Sequence, residues 1–392
     1  MVHQTMKTKM SRAPSASTMS SHMVARAYRA AALGLLLAGC ASAPPVGGPV
    51  PIEDRVRTTA PAAPAMPGAR WTAATWADLP GWSADRTREA WVALRRSCLR
   101  PMPAWQRVCN DAQAQPPADD AAARAWLEAR LVPFRVAAAD GNAEGLATGY
   151  FEPQLDASRA PRGAMRHALY QPPTDLATRK PWYTRAQLDA LPAVQASLRG
   201  REIAHLADPL DVLLVQVQGS ARLRITEADG RITNARVSFA GQNGHPYVSL
   251  GRWLQDKREL TDASWPAIRD WARRNPTRVS ELLAVNPRLV FFREEALPDP
   301  ALGPRGAQGV ALTPERSIAV DPNAIPLGTP VWLDTTEPLA ATPLRRLVLA
   351  QDTGSAITGA VRADYFWGSG DRAEQQAGRM KQPLRLWALW PR

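Results

Sequence analysis

The chain has 392 residues, of which 45% are hydrophobic and 21% charged, with a formal charge of +12. That length holds one large or two ordinary domains, either able to bury a core without a metal or many disulfides. The basic residues are scattered and nearly all arginine, with no Lys/Arg block, zinc-finger spacing or RNA-binding aromatic motif, which excludes the common nucleic-acid modules. What remains is an arginine-rich composition or attraction to an anionic surface.

In chain order, the first signal is VARAYRAAALGLLLAGC at 24–40. Arg26 and Arg29 flank an apolar run, Ala30–Ala38, too short to span a bilayer but suited to a signal-peptide core. The run ends in Leu37-Ala38-Gly39-Cys40, which resembles the lipobox of bacterial lipoproteins, in which the cysteine is acylated and becomes the new N-terminus. Residues 1–40 are therefore expected to be a signal segment starting at Met23, with Cys40 the lipidation site. Ala41 in place of an inner-membrane-retention aspartate points to the periplasmic face of the outer membrane. Residues 41–70, rich in Pro, Ala and Gly, read as a disordered tether.

Cys98 and Cys109 are the other two cysteines. In an oxidising compartment they read as one disulfide closing a short loop, or else as two buried thiols. The five histidines offer no C-x-x-C or H-x-x-x-H partner spacing, so no metal site and no cofactor are expected. Asp85–Arg96 and Ala118–Arg130 repeat apolar residues at helical spacing. From Gly145 the texture turns to short strands: LATGYFEPQL, DVLLVQVQGSARLRI and RITNARVSFAGQNG. The first half of the second is apolar enough for a central strand. Helices return over 262–289. Strands follow at RSIAVD, GTPVWLD and RRLVLAQDTGS, then a helix around Arg372–Met380 and a last strand, LRLWALW. The pattern is mainly β with some helices, in two parts meeting at a groove.

Three aspartates share the C-terminal third: Asp321 in SIAVDPNAIPLG, Asp352 in LVLAQDTGS and Asp364 in AVRADYFWGSG. A carboxylate at the end of an apolar strand is fixed and partly desolvated, which helps it hold a proton near neutrality. The plainer alternative is an Asp accepting turn hydrogen bonds. Asp352-Thr353-Gly354-Ser355 also matches the aspartic-protease signature, but that chemistry needs a second such loop, and the chain has no other D-T-G or D-S-G. No G-x-S-x-G elbow is present, and GPRGAQG lacks the P-loop lysine and serine.

These blocks together resemble the membrane-bound lytic murein transglycosylase A (MltA) family. SIAVDPNAIPLGTPVWLDT through QDTGSAITGAVRADYFWGSGDRAEQQAGRM is similar to its three-aspartate (3D) domain. ATGYFEPQL, LADPLDVLLVQVQGSARLRI, GQNGHPYVSLGRWL and VNPRLVFFRE follow its substrate-domain motifs in order, over roughly residues 75–390. The resemblance implies a double-psi β-barrel and a second β domain separated by a deep groove. It implies a helical front at 71–140, a substrate-binding β domain at 141–290 and the catalytic barrel at 291–392. It implies a peptidoglycan lytic exotransglycosylase, cutting between N-acetylmuramic acid and N-acetylglucosamine and leaving 1,6-anhydromuramic ends; the residues themselves do not distinguish chain ends from interiors.

Carried over position by position, Asp364 is the acid/base, Asp352 its supporting neighbour and Asp321 the third of the trio. Gln218, Gly219, Ser220 and Arg222 fall on one sugar-binding segment, and Thr148, Gly149 and Tyr150 on the other. Arg222 is a candidate partner for a substrate carboxylate, or a solvated strand-face arginine. Trp367, beside Asp364, is a candidate sugar platform, although most of the 14 tryptophans suit a core better. Ser355 and Ala221 stand where the family has glycines. The implied partners are glycan strands, the membrane through its lipid anchor and possible cell-wall synthases, with a monomeric chain and no nucleic acid. The competing readings are a wall-binding lipoprotein without turnover and a glycan hydrolase.

Overall fold

The structure, a computed structural model, describes residues 63–297 and 299–392. The signal segment, Met23, Cys40 and most of the tether lie outside the described residues. The strands are β1 (Arg70–Ala73), β2 (Leu131–Ala137), β3 (Gly145–Glu152), β4 (Gln154–Ser158), β5 (His167–Tyr170), β6 (Glu202–Leu206), β7 (Ser220–Thr226), β8 (Ile232–Gln242), β9 (Val290–Ala296), β10 (Ser317–Val320), β11 (Pro330–Thr336), β12 (Pro343–Asp352), β13 (Arg362–Ser369) and β14 (Lys381–Pro391). The helices are α1 (Thr87–Ser97), α2 (Gln106–Ala114), α3 (Asp120–Arg130), α4 (Arg185–Ala190), α5 (Pro192–Ser197), α6 (Pro209–Gln218), α7 (Leu250–Asp256), α8 (Trp265–Arg274), α9 (Val279–Ala284) and α10 (Asp371–Ala377).

Two sheets share the strands. The first runs β1-β2-β14-β11-β12-β10-β13-β3, and β14 also pairs with β3, so six strands from β14 round to β3 close on themselves. The long β14 manages this by splitting its partners: Lys381–Leu384 face β3, and Arg385–Ala388 face β11. Two pairs, β10 with β12 and β13 with β3, are parallel. This is the barrel expected from the family resemblance.

Alternation explains why the barrel strands are apolar almost throughout. Val331, Leu333, Val348, Ala350, Leu386 and Ala388 fill the barrel. Their neighbours Trp332, Leu347, Leu349, Trp387 and Leu389 point outward beneath α1–α3. Both faces are buried, so period two survives in direction but not in polarity. The helical cap is pinned by buried Arg316, whose Nη1 donates to both oxygens of Asp85 at 3.0 Å. Its Nη2 donates to Glu89 at 2.9 Å. Cys98 and Cys109 are joined as a disulfide between the end of α1 and α2.

The second sheet, β5-β6-β4-β7-β8-β9, is inserted between β3 and β10. Its packing corrects one sequence expectation. Pro209–Gln218 is helix α6, not the first half of a central strand. Asp208 caps it by accepting from the Leu210 amide, Pro209 occupies its first turn, and Gly219 ends it in the left-handed region at φ 79°. A run apolar on every side suits a buried helix as well as a buried strand. Here Val212 and Val215 pack into the second sheet, Leu210 and Leu213 against α7–α9, and Leu214 into the barrel core.

Candidate functional site

A cleft of about 680 Å³ separates the end of the barrel from the second sheet. Asp352, Asp364 and Thr353–Ile357 line one wall, and Gln218, Gly219, Ser220, Ser238 and Phe239 the other. An adjoining chamber of about 430 Å³, lined by Gly149, Trp265 and Arg379, shares Val217, Gln218 and Tyr247 with it.

Asp364 sits mid-strand in β13, between Ala319 of β10 and Thr148 of β3. The Thr148 hydroxyl donates to its Oδ1 at 2.5 Å, and Arg362 donates to the Thr148 oxygen at 2.9 Å. Among the described residues Oδ2 has no protein donor. Burial pushes the carboxyl up to about 6; the Thr148 bond and the Arg362 charge pull against it, and the charge of Asp352 adds to it.

Asp352 ends β12 and is fully engaged. Its Oδ1 accepts from the amides of Ala307 and Thr353 at 2.9 Å each, and its Oδ2 from the Tyr150 hydroxyl at 3.0 Å. Burial raises its pKa, with the three donors opposing the rise. Tyr150 stays a neutral donor: burial and the two nearby aspartates hold its phenol well above the ordinary range. The preceding Gln351, wholly buried, fixes the strand end by donating to Ala93 O and Ser97 Oγ of α1 and accepting from Ser317.

The structure thus brings together Asp352, Asp364, Thr148, Tyr150, Gln218, Gly219 and Ser220. Gln218 is held by the Phe151 amide, which donates to its Oε1 at 3.0 Å. Gly149 has a steric reason to lack a side chain, since a Cβ there would meet Trp367 Nε1 at 2.7 Å. Three residues are placed elsewhere. Asp321 does not line the cleft; it ties two loops, accepting from the Asn323 and Gly359 amides at 2.9 and 2.8 Å. Arg222 turns away, donating to Glu152 at 2.7 Å and to the carbonyls of Pro300 and Leu302. Trp367 is only 3% exposed, packed against Tyr365, Met380 and the backbone of Gly149. Sequence reasoning missed Ala307, whose GPRGAQG segment was weighed only as a phosphate loop and set aside; no residue type marks a backbone amide as a donor.

The family model for the MltA specific insert domain matches residues 146–293, and that for the 3D domain residues 316–390. The membrane-bound lytic murein transglycosylase A of Vibrio cholerae is 31% identical over 276 residues, covering 67% of this chain and 71% of that one. The chain belongs to the membrane-bound lytic murein transglycosylase A family. Family members of known structure agree in fold. A lytic transglycosylase of Burkholderia pseudomallei is 47% identical with a TM-score of 0.58, covering 83% of this chain and 97% of that one. Escherichia coli MltA with bound chitohexaose is 25% identical with a TM-score of 0.62, covering 83% and 92%. The family's enzymes are peptidoglycan-cleaving lyases, the class that the sequence motifs led us to expect.

Proposed function

We propose that this chain cleaves the β-1,4 bond between N-acetylmuramic acid and N-acetylglucosamine in peptidoglycan, with Asp364 as acid and then base. The observation that carries the reading is the state of Asp364: one hydroxyl donor, a pKa of about 6, and a place on the cleft wall. Protonated, it gives its proton to the glycosidic oxygen as the bond to muramic C1 breaks. The carboxylate left behind takes the proton of the same sugar's C6 hydroxyl while that oxygen bonds to C1. A 1,6-anhydro ring closes, and Asp364 ends the cycle protonated again without consuming water. An attacking group on the same sugar gains the proximity advantage of an intramolecular reaction.

The arrangement of carboxylates supports this over hydrolysis. Ordinary glycosidases set a second carboxylate across the sugar as base or nucleophile. Among the described cleft residues the carboxylates are Asp352 and Asp364, both on the barrel wall, and Asp352 has its oxygens occupied. Asp352 then acts through its charge, holding the proton on Asp364. Gln218, Gly219 and Ser220 would hold the glycan against it from the opposite wall. A sugar polymer in this cleft also accords with the chitohexaose bound by the Escherichia coli relative.

The test is mass spectrometry of muropeptides released from purified peptidoglycan by the full chain and by Asp364→Asn. Anhydromuramic products from the first alone are expected. Reducing-end products would make it a hydrolase; none from a folded wild-type chain would make it a wall-binding protein. The same reading anchors the enzyme to the periplasmic face of the outer membrane through acylated Cys40. Palmitate labelling should be present in the wild type and lost in Cys40→Ala.

A further inference from the structure

The second-sheet wall of the cleft carries a cation that nothing in the proposed reaction uses. Arg288 lines the cleft beside Gln216, Tyr247 and Val290. Among the described residues it pairs with no carboxylate; its guanidinium has only a 3.4 Å contact to the His245 carbonyl. Of the other arginines of that cleft, Arg293 is paired with Glu295 at 2.7 Å, while Arg305, which donates to the Gly309 carbonyl at 2.7 Å, is exposed and keeps its water. Burial lowers the Arg288 pKa, a sign that its charge has lost water without gaining an anion.

The backbone beneath it is built to hold it still. The Arg288 amide donates to Asn286 Oδ1 at 3.2 Å, and its carbonyl accepts from Arg185 at 2.9 Å. The Leu289 amide donates to Asn243 Oδ1 at 3.0 Å. Asn243, Asn286 and Arg185 are all buried. Arg185 brings a second guanidinium with only carbonyl and amide oxygens as acceptors, Gln216 among them. The corner is therefore rigid and net positive, which suits recognition of an anion on a bound strand at little ordering cost.

The geometry points to Arg288 as the site that takes a carboxylate carried on the C3 substituent of muramic acid, making this cleft selective for anionic murein over neutral N-acetylglucosamine polymers. The inference rests on the proposed reading of the cleft as the glycan site. Two sources share this chemistry: the free lactyl carboxylate of a peptide-stripped strand, and the carboxylates of the stem peptide.

Binding separates them without turnover. Titration calorimetry of the full-length Asp364→Asn protein would use chitohexaose, a peptide-free murein hexasaccharide, and the same hexasaccharide bearing stem peptides. One or both anionic ligands should bind about tenfold tighter than chitohexaose, as expected for one charge-assisted carboxylate contact. Adding Arg288→Ala should bring that ratio close to one, and Arg288→Lys should keep part of it. The ligand showing the gain names the source. An unchanged ratio, or an equal loss for chitohexaose in a variant with unaltered melting temperature, overturns the inference. Absence of anhydromuramic products from the wild-type chain would instead overturn the reaction, whatever the binding ratios.

Discussion

Strand β3 passes two acids with opposite fates, one buried and one partly open to the cleft. At its end, Glu152 is 0% exposed and fully compensated: Arg236 donates to both its oxygens at 2.5 and 3.2 Å, and Arg222 to one at 2.7 Å. Four residues earlier, Thr148 offers the acid beside it, Asp364, a single hydroxyl. The two arginines at Glu152 reach on to the Leu302 carbonyl, so that acid joins strands of both sheets to the segment leading back into the barrel. A buried charge that is answered holds structure; one left under-answered keeps its proton and is available for chemistry.

The contrast can be broken from either side. Asp364→Asn should cost roughly a thousandfold in release of anhydromuropeptides, the scale of a lost general acid. It should cost no stability. A carboxyl raised from 3.8 to about 6 favours the fold fully below its unfolded value, and that contribution is lost as pH rises through about 6. The wild type should therefore melt increasingly below the variant between about pH 4 and 6. After discounting for partial exposure the gap is on the order of 1–2 kcal/mol. Glu152→Ala should do the reverse, destabilising by about 3–5 kcal/mol in urea titration by leaving two guanidinium groups buried without their anion. Glu152→Gln should recover part of that.

Smaller effects sharpen the same line. Asp352→Asn removes the charge that helps hold the proton on Asp364, so the alkaline fall in kcat/KM should move to lower pH, with kcat down about tenfold. Thr148→Val removes the donor that favours the ionised form, so that fall should move to higher pH. If Thr148→Val and Asp352→Asn shift the profile in the same direction, the group controlling the limb is not Asp364.

Much of this was legible beforehand. The apolar strands leading to Asp321 and Asp352, and helices α1, α3 and α8 with their three–four spacing, announced themselves; strand β13, which carries Asp364 mid-strand, did not. Helix α6 did not, because four consecutive apolar residues, Val212–Val215, are buried on different faces and hide its periodicity; the Asp208-Pro209 start and Gly219 stop were its readable marks. Arg222 lies on the same face of β7 as Ser220 but is drawn off by buried Glu152, a partner 70 positions away; Trp367 is misplaced for a different reason. Adjacency in sequence to a reactive residue does not say which side of a strand a side chain takes, and Trp367 three residues beyond Asp364 in β13 points into the packing. Arg288 was not singled out, since its solitude among carboxylates exists only in three dimensions.

The insertion of the second sheet between β3 and β10 bears on how the chain folds. Thr148 and Asp364, side by side in the finished barrel, are separated by 216 positions along the chain. The entropic cost of joining them across a disordered loop grows only slowly with its length, about 0.6 kcal/mol per doubling, but such distant pairings fold slowly. If the inserted sheet organises first, it draws the end of β3 and the start of the return segment toward the Glu152 clasp. Closing the barrel then has to bridge only the stretch from Leu302 to Asp364 instead of the 216 positions between Thr148 and Asp364.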